Sequence, residues 1–201
     1  MKIGILISGR GSNMAAIVEA VNSGAIPDSK VVVVISDKAK AEGLQKAKAR
    51  GIETVVVEKK GRTRIEHDAE IIAELKKRDV ELVCLAGYMR LLSKDFVHAF
   101  PNKIINIHPS LLPSFRGLEA QKQAIEAGAK VSGCTVHFVD EELDHGEIIL
   151  QKAIEVSDED TAESLAAKIL PLEHALYVEA IAKIVKNNCE ITGRKGRTAL
   201  T

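Results

Sequence analysis

The chain predicts an α/β fold: a mostly parallel open sheet with helices on both faces, an antiparallel strand pair at one edge and a long C-terminal helix. Three observations carry this. Short apolar runs rich in β-branched residues alternate with helix-periodic segments through the first two thirds of the chain. The pattern changes after Gly128 to two longer strand-like runs, and a long amphipathic stretch closes the chain.

The first five strands are read at Lys2 to Ile7, Val31 to Ile35, Thr54 to Val57, Leu82 to Ala86 and Ile104 to Ile107. Runs that are apolar on both faces belong in a parallel sheet covered on both sides. Between them, Met14, Ile17, Val18 and Val21 recur at helical spacing, with Gly24 ending that helix. Ile65, Ala69, Ile72 and Leu75 repeat the pattern. Val131 to Val139 and Glu147 to Val156 then read as an antiparallel pair at the sheet edge. Thr161 to Lys186 is the long helix, with Leu165, Ile169, Leu172, Leu176 and Ile184 on or near one face. Pro171 lies inside it, lacks an N–H and clashes with the preceding turn, so a kink or break is expected there.

At 201 residues the chain fits one domain, with 187–201 as a C-terminal tail. A body of this size buries roughly 70% of its unfolded surface without needing a staple. Hydrophobic residues make up 46% and charged residues 28%, which excludes a disordered chain. No apolar run approaches the ~20 residues of a membrane span, and the N-terminus lacks a signal-peptide core, so a cytoplasmic protein is expected. Lys plus Arg and Asp plus Glu each total 28, so no net field favours nucleic acid or a membrane. The basic cluster Arg194, Lys195 and Arg197 reads as a solvated tail. Cys84, Cys134 and Cys189 are odd in number and widely spaced, which fits neither a disulfide framework nor a zinc site. No metal is expected, since no histidine pair has ligand spacing.

Ser8-Gly9-Arg10-Gly11-Ser12-Asn13 joins the first strand to the first helix, where backbone N–H groups and the helix dipole can meet a phosphate. Ser12 or Asn13 is positioned to cap the helix. The third glycine of a dinucleotide fingerprint is missing, Ala16 does not restore it, and the P-loop lysine is absent; a tight turn with an ordinary cap explains the same residues. In Ile104-Ile105-Asn106-Ile107-His108-Pro109, alternation puts Asn106 and His108 on one strand face about 7 Å apart. They stand at a strand's carboxyl end, the ligand-binding edge of an open α/β sheet. Pro109 and Pro113 force a stiff turn, which admits a cis bond at Leu112-Pro113. An amide beside an imidazole makes an oxyanion site, and a carboxylate nearby would keep the ring charged. Asp144 is the natural carboxylate, although a turn-former in the acidic loop Asp140, Glu141, Glu142 and Asp144 accounts for it equally. Ser110 reads as a turn cap, since no GxSxG elbow presents it.

Five segments in order resemble the phosphoribosylglycinamide formyltransferase family, folate-dependent enzymes of purine synthesis. They are SGRGSN at 8 to 13, LAGYMRLLS at 85 to 93, NIHPSLLPSFRG at 106 to 117, VHFVDEELDHGEII at 136 to 149 and LEHALY at 172 to 177. The resemblance implies the formyltransferase fold and transfer of formyl from 10-formyltetrahydrofolate, a co-substrate, to the amine of glycinamide ribonucleotide. It implies that Asn106, His108 and Asp144 are catalytic, that Gly11, Ser12 and Asn13 hold the phosphate, and that Glu173 holds the ribose. For the folate it implies Arg64, Met89, Arg90, Leu91, Leu92, Asn106 and Asp140. Met89, Leu91 and Leu92 offer an apolar wall for a flat pterin, while arginines suit the glutamate carboxylates. Partners would be these small molecules alone, with a monomer or homodimer as the working unit.

Four residues depart from that pattern. Leu170 replaces a frequent polar residue, Glu119 and Gln121 stand at frequent histidines, and His145 at a frequent glycine. Formyltetrahydrofolate deformylase resembles the chain too, but usually has an N-terminal regulatory domain and a histidine in place of Pro109. Methionyl-tRNA formyltransferase usually adds a C-terminal RNA-binding domain. The chain is expected to start at its first strand and end with its last helix and tail, which disfavours both. A non-catalytic nucleotide-binding module would not need Asn106, His108 and Asp144 together. A nicotinamide dehydrogenase would want the missing glycine, with Asp37 as the acid after its second strand.

Overall fold

A computed structural model describes residues 1–187, so Cys189 and the cluster Arg194, Lys195 and Arg197 lie outside the described residues. Seven strands form one sheet: β1 (Lys2–Ile7), β2 (Lys30–Ser36), β3 (Thr54–Val56), β4 (Leu82–Leu85), β5 (Ile104–His108), β6 (Val131–Phe138) and β7 (Ile148–Glu155). Their order is β3-β2-β1-β4-β5-β6-β7, with β1 to β5 parallel. β6 pairs antiparallel with β5, and β7 with β6, so the expected edge pair is present. The helices are α1 (Ser12–Asn22), α2 (Glu42–Ala49), α3 (Arg64–Lys76), α4 (Lys94–Ala99), α5 (Ala120–Glu126) and α6 (Ala162–Asn187).

Apolar residues of α1, α2, α5 and α6 share one buried cluster with one sheet face, while Ile71 and Leu75 of α3 and Phe96 of α4 pack on the other. This is the two-sided cover that the unbroken apolar strands require. No helix among the described residues is long and apolar enough to cross a membrane.

Two local readings need correction. α6 runs as one helix through Pro171 rather than breaking there. Proline inside a helix costs ~3 kcal/mol. Here seven buried apolar residues of α6, from Leu165 and Ile169 to Ile181 and Ile184, hold it against the sheet, and Pro171 itself faces solvent. In α3 the buried face is His67, Asp68, Ile71 and Leu75, whereas Ile65 is 61% exposed. Polar residues on that face gain partners described below, which hydrophobic periodicity does not register. A Thr63/Glu66 capping box starts the helix.

α6 is also fastened by a buried hydroxyl. Tyr177 is fully buried, and its Oη lies 3.0 Å from both the Leu85 carbonyl oxygen, at the carboxyl end of β4, and the Ile105 carbonyl oxygen, near the start of β5. A hydroxyl has one hydrogen, so it donates to one carbonyl at a time and solvates the other. We expect Tyr177→Phe to lower unfolding free energy by about 1–3 kcal/mol, the cost of leaving buried carbonyls unpaired. Urea denaturation checks this; an unchanged midpoint would show that the two carbonyls are satisfied without it.

Candidate functional site

The C-terminal end of β5 gathers the polar groups. β5 and β6 set Asn106 opposite His137 and His108 opposite Thr135. Residues directly opposite in an antiparallel pair share a sheet face, so four polar side chains form one patch. Asp144 joins them from the β6–β7 loop in a left-handed conformation, φ +46°.

The carboxylate of Asp144 is the hub. Oδ2 accepts from the Gly117 N–H at 2.9 Å and lies 3.4 Å from His108 Nδ1. Oδ1 lies 3.5 Å from Asn106 Nδ2 and 3.7 Å from His137 Nε2. His108 Nε2 donates to the Phe115 carbonyl at 2.8 Å. Both nitrogens of His108 thus face oxygen, and a ring protonated on both donates to both. The contacts at 3.4 and 3.5 Å are longer than ordinary charge-assisted bonds.

His137, not singled out from the sequence, fixes the amide. Its Nδ1 donates to the Phe138 carbonyl at 2.8 Å, so Nε2 accepts from Asn106 Nδ2 at 3.2 Å. Burial pushes the His137 pKa down, against the Phe138 hydrogen bond and the Asp144 charge. A neutral ring is the form that can accept. The motif VHF contains the residue, but only the strand register shows that it faces Asn106. Thr135 acts on the turn after His108: its Oγ1 donates to Ser110 O at 2.6 Å and accepts from Leu112 N and Gln151 Nε2, both at 3.0 Å. Ser110 Oγ closes the turn on Ser114 O, and Leu112-Pro113 is cis.

The glycine loop stands on the next part of the same sheet edge. Gly11, at φ +66°, is the N-cap of α1, and no side chain caps the helix. The expected cap from Ser12 or Asn13 is therefore replaced: Asn13 turns away and donates from Nδ2 to Glu173 Oε2 at 2.8 Å, across 160 positions of sequence. Glu173 is buried, which raises its pKa against the Asn13 bond and the Arg10 charge. Packing of α2 shapes the loop. A methyl group added to Gly11 would lie 2.7 Å from Gly43 Cα, and Gly43 N donates to Gly9 O at 3.0 Å.

Met89 to Leu92 leave the sheet after β4. Met89 and Leu91 are 59% and 50% exposed, an apolar face open to solvent, whereas Leu92 is half-buried. Arg90 turns its Nε inside, beside Tyr88, and Arg64 is exposed at the start of α3. Asp140 accepts from Glu142 N at 2.9 Å and from His145 Nδ1 at 2.7 Å. Among the described residues no cluster of His, Cys, Asp and Glu could hold a metal ion.

The formyl transferase family model matches residues 1–181. A phosphoribosylglycinamide formyltransferase of Bacillus subtilis is 42% identical over 188 residues, 93% of this chain and 96% of that protein. This chain belongs to that family. Glycinamide ribonucleotide transformylase 1 from Symbiobacterium toebii superimposes with a TM-score of 0.94 at 49% identity, covering 96% of this chain and 92% of that one. The trifunctional purine biosynthetic protein adenosine-3 of Gallus gallus is 44% identical over 200 residues, and the chain spans only 20% of its length.

Within the formyltransferase frame, the sequence-predicted site residues fall into three groups along one sheet edge. Asn106, His108 and Asp144 meet directly; Asn13 and Glu173 meet beside Gly11 and Ser12; Met89 to Leu92 form an exposed wall. For His137 the sign of its pH effect follows from burial. Its folded pKa lies below the ordinary 6.5, so the unfolded chain takes up the proton first. The stability held above 6.5 is then lost as pH falls from 6.5 through the folded value. His137→Gln, which cannot titrate, should show a shallower acid loss in urea titrations run on either side of 6.5. Equal losses in both proteins would assign the acid sensitivity to other groups.

Proposed function

We propose that this chain transfers the formyl group of 10-formyltetrahydrofolate to the amine of 5'-phosphoribosylglycinamide, giving the N-formyl product and tetrahydrofolate in purine biosynthesis. The observation that carries the reading is the meeting of Asn106, His108 and Asp144 at one point within a formyl transferase chain.

The glycine loop supplies uncapped N–H groups of α1 to the substrate phosphate, and Glu173 accepts from the ribose hydroxyls. Met89, Leu91 and Leu92 cover the pterin, with Arg64 toward the glutamate end. Asp140, Arg90 and Asn106 complete the folate contacts. The neutral amine attacks the formyl carbon, and charge grows on the formyl oxygen. Asn106 Nδ2 and, in the doubly protonated ring, His108 Nδ1 donate to that oxygen; both nitrogens lie beside the Asp144 carboxylate. Phe115 holds the far side of the imidazole, which keeps the ring in this orientation. Asp144, or a water it holds, accepts the ammonium proton of the adduct and returns it to the folate nitrogen as the C–N bond breaks.

Losing one oxyanion donor costs roughly 100- to 1000-fold in turnover. Asn106→Ala should therefore lower kcat by about that factor, and by more than it raises the formyl-folate KM, where only one contact is lost. Glu173→Ala should raise KM for the amine substrate about tenfold while leaving the formyl-folate KM near its original value, since the ribose loses its acceptor. Both are read from the absorbance change on formyl release, run with and without the amine. Folate turnover that ignores the amine would replace this reading with hydrolysis. No turnover in either tube would leave a binding module.

A further inference from the structure

The segment Met89 to Leu92 turns Met89 and Leu91 to solvent, and only Leu92 packs against the core, so burial of its apolar side chains holds one end of it alone. It is fixed from its two ends, by side chains outside it. At the first end, the Met89 N–H donates to Ser8 Oγ at 2.9 Å, and the Ser8 N–H donates to Gly87 O at 3.0 Å. Ser8 is 4% exposed and opens the glycine loop, so one residue belongs to that loop and grips the segment. At the other end, the Ser93 N–H donates to Asp68 Oδ2 at 2.6 Å, while Ser93 Oγ caps α4 through Phe96 N.

Asp68 lies on α3 and is 1% exposed. A buried carboxylate is costly unless it is bound to donors. Its second oxygen lies 3.5 Å from Nδ1 of the fully buried His67, and His67 Nε2 bonds the Val57 carbonyl just beyond β3 at 2.7 Å. A chain of contacts therefore runs from the end of β3 through α3 to the end of the exposed wall. Arg64 stands one turn before Asp68 on the same helix. The contact that anchors the wall also sets Arg64 relative to it.

We propose that Ser8 and Asp68 are positioning residues for the formyl folate: they hold the backbone of the wall in its binding shape and touch no reacting atom. This rests on the reading that Met89 to Leu92 receive the folate. Preorganised walls bind more tightly because ordering is not left to the binding step. Removing either acceptor leaves a main-chain N–H without its partner and frees the segment.

The test uses Ser8→Ala, Asp68→Leu and Asp68→Asn in the full chain. Steady-state kinetics are combined with calorimetric titration of tetrahydrofolate. Ser8→Ala and Asp68→Leu should raise the formyl-folate KM and the tetrahydrofolate Kd by about tenfold, with KM for the amine substrate changed by less than about twofold. Asp68→Asn keeps an acceptor for Ser93 N and should restore most of the affinity. A folding defect would instead lower the active fraction and leave the Kd of the remaining sites unchanged. Unaltered tetrahydrofolate affinity in both Ser8→Ala and Asp68→Leu overturns the tether while leaving the functional reading intact, as does an equal rise in both KM values. Failure of the unsubstituted chain to bind tetrahydrofolate overturns the functional reading and the tether with it.

Discussion

The site depends on the register between β5 and β6. Pairing Asn106 with His137 and His108 with Thr135 puts an amide, two imidazoles and a hydroxyl on one face of two adjacent strands. A slip of one residue would exchange that face for Ile105, Ile107, Val136 and Phe138, which now lie in the core. Burial of those four residues thus holds the polar patch in place from behind. β7 contributes as well, since its register on β6 shifts between Val136 and His137, beside the site. Bulges of this kind bend a strand and re-aim its side chains.

The rest of the sheet edge follows from the same logic of parallel strands that end together. β1, β4 and β5 deliver the glycine loop, the apolar wall and the pair Asn106 and His108, and the first two loops are linked by a side-chain bond to Ser8 Oγ and by the main-chain bond from Ser8 N–H to Gly87 O. Ser8 joins the first two, Gly117 joins the turn after β5 to Asp144, and Tyr177 braces β4 and β5 from beneath. Three loops separated by tens of residues become one surface because each borrows rigidity from the strand before it.

Much of this was legible in the sequence, where it depended on local periodicity. The strand bounds agree to within about one residue, because β-branched apolar runs bounded by Gly, Asn and Pro have few other solutions. Asn106 and His108 were visible as an alternating pair with Asp144 as the natural carboxylate beside a turn-former reading, and the resemblance added Glu173 and the segment Met89 to Leu92. What stayed hidden depended on partners distant along the chain. His137 reads as a strand residue until its cross-strand neighbour is known. Asn13 reads as a helix cap until Glu173, on the last helix, claims its amide. Asp68 and His67 look like solvent-facing residues of an amphipathic helix, so the buried face of α3 was placed on Ile65 and Ala69 instead. Pro171 reads as a breaker because propensity is local, while the burial that overrides it is spread along α6.

The acidic loop beside the site raises an electrostatic question that its pairings answer. In the mechanism proposed above, negative charge develops close to the loop that carries Asp140, Glu141, Glu142 and Asp144. Two like charges ~8 Å apart repel by ~2 kcal/mol at an effective dielectric of ~20, so an unpaired loop would oppose the reaction. Each of the outer acids lies against a basic side chain, Asp140 and Glu142 sharing one. Glu141 bridges Lys94 at 2.6 Å and His98 at 3.0 Å, which lowers its pKa, and His145 lies 2.7 Å from Asp140 and 3.8 Å from Glu142. His145 stands where related enzymes often have glycine, so in this chain that position adds a donor to the loop without displacing Asp144. Asp144 is then the acid of this loop that lies against the site, 3.4 Å from His108 Nδ1 and 2.9 Å from the Gly117 N–H. In the reaction proposed above a neutral amide dipole from Asn106 acts on the formyl oxygen against this background, which makes the surrounding ion pairs part of the site's electrostatics.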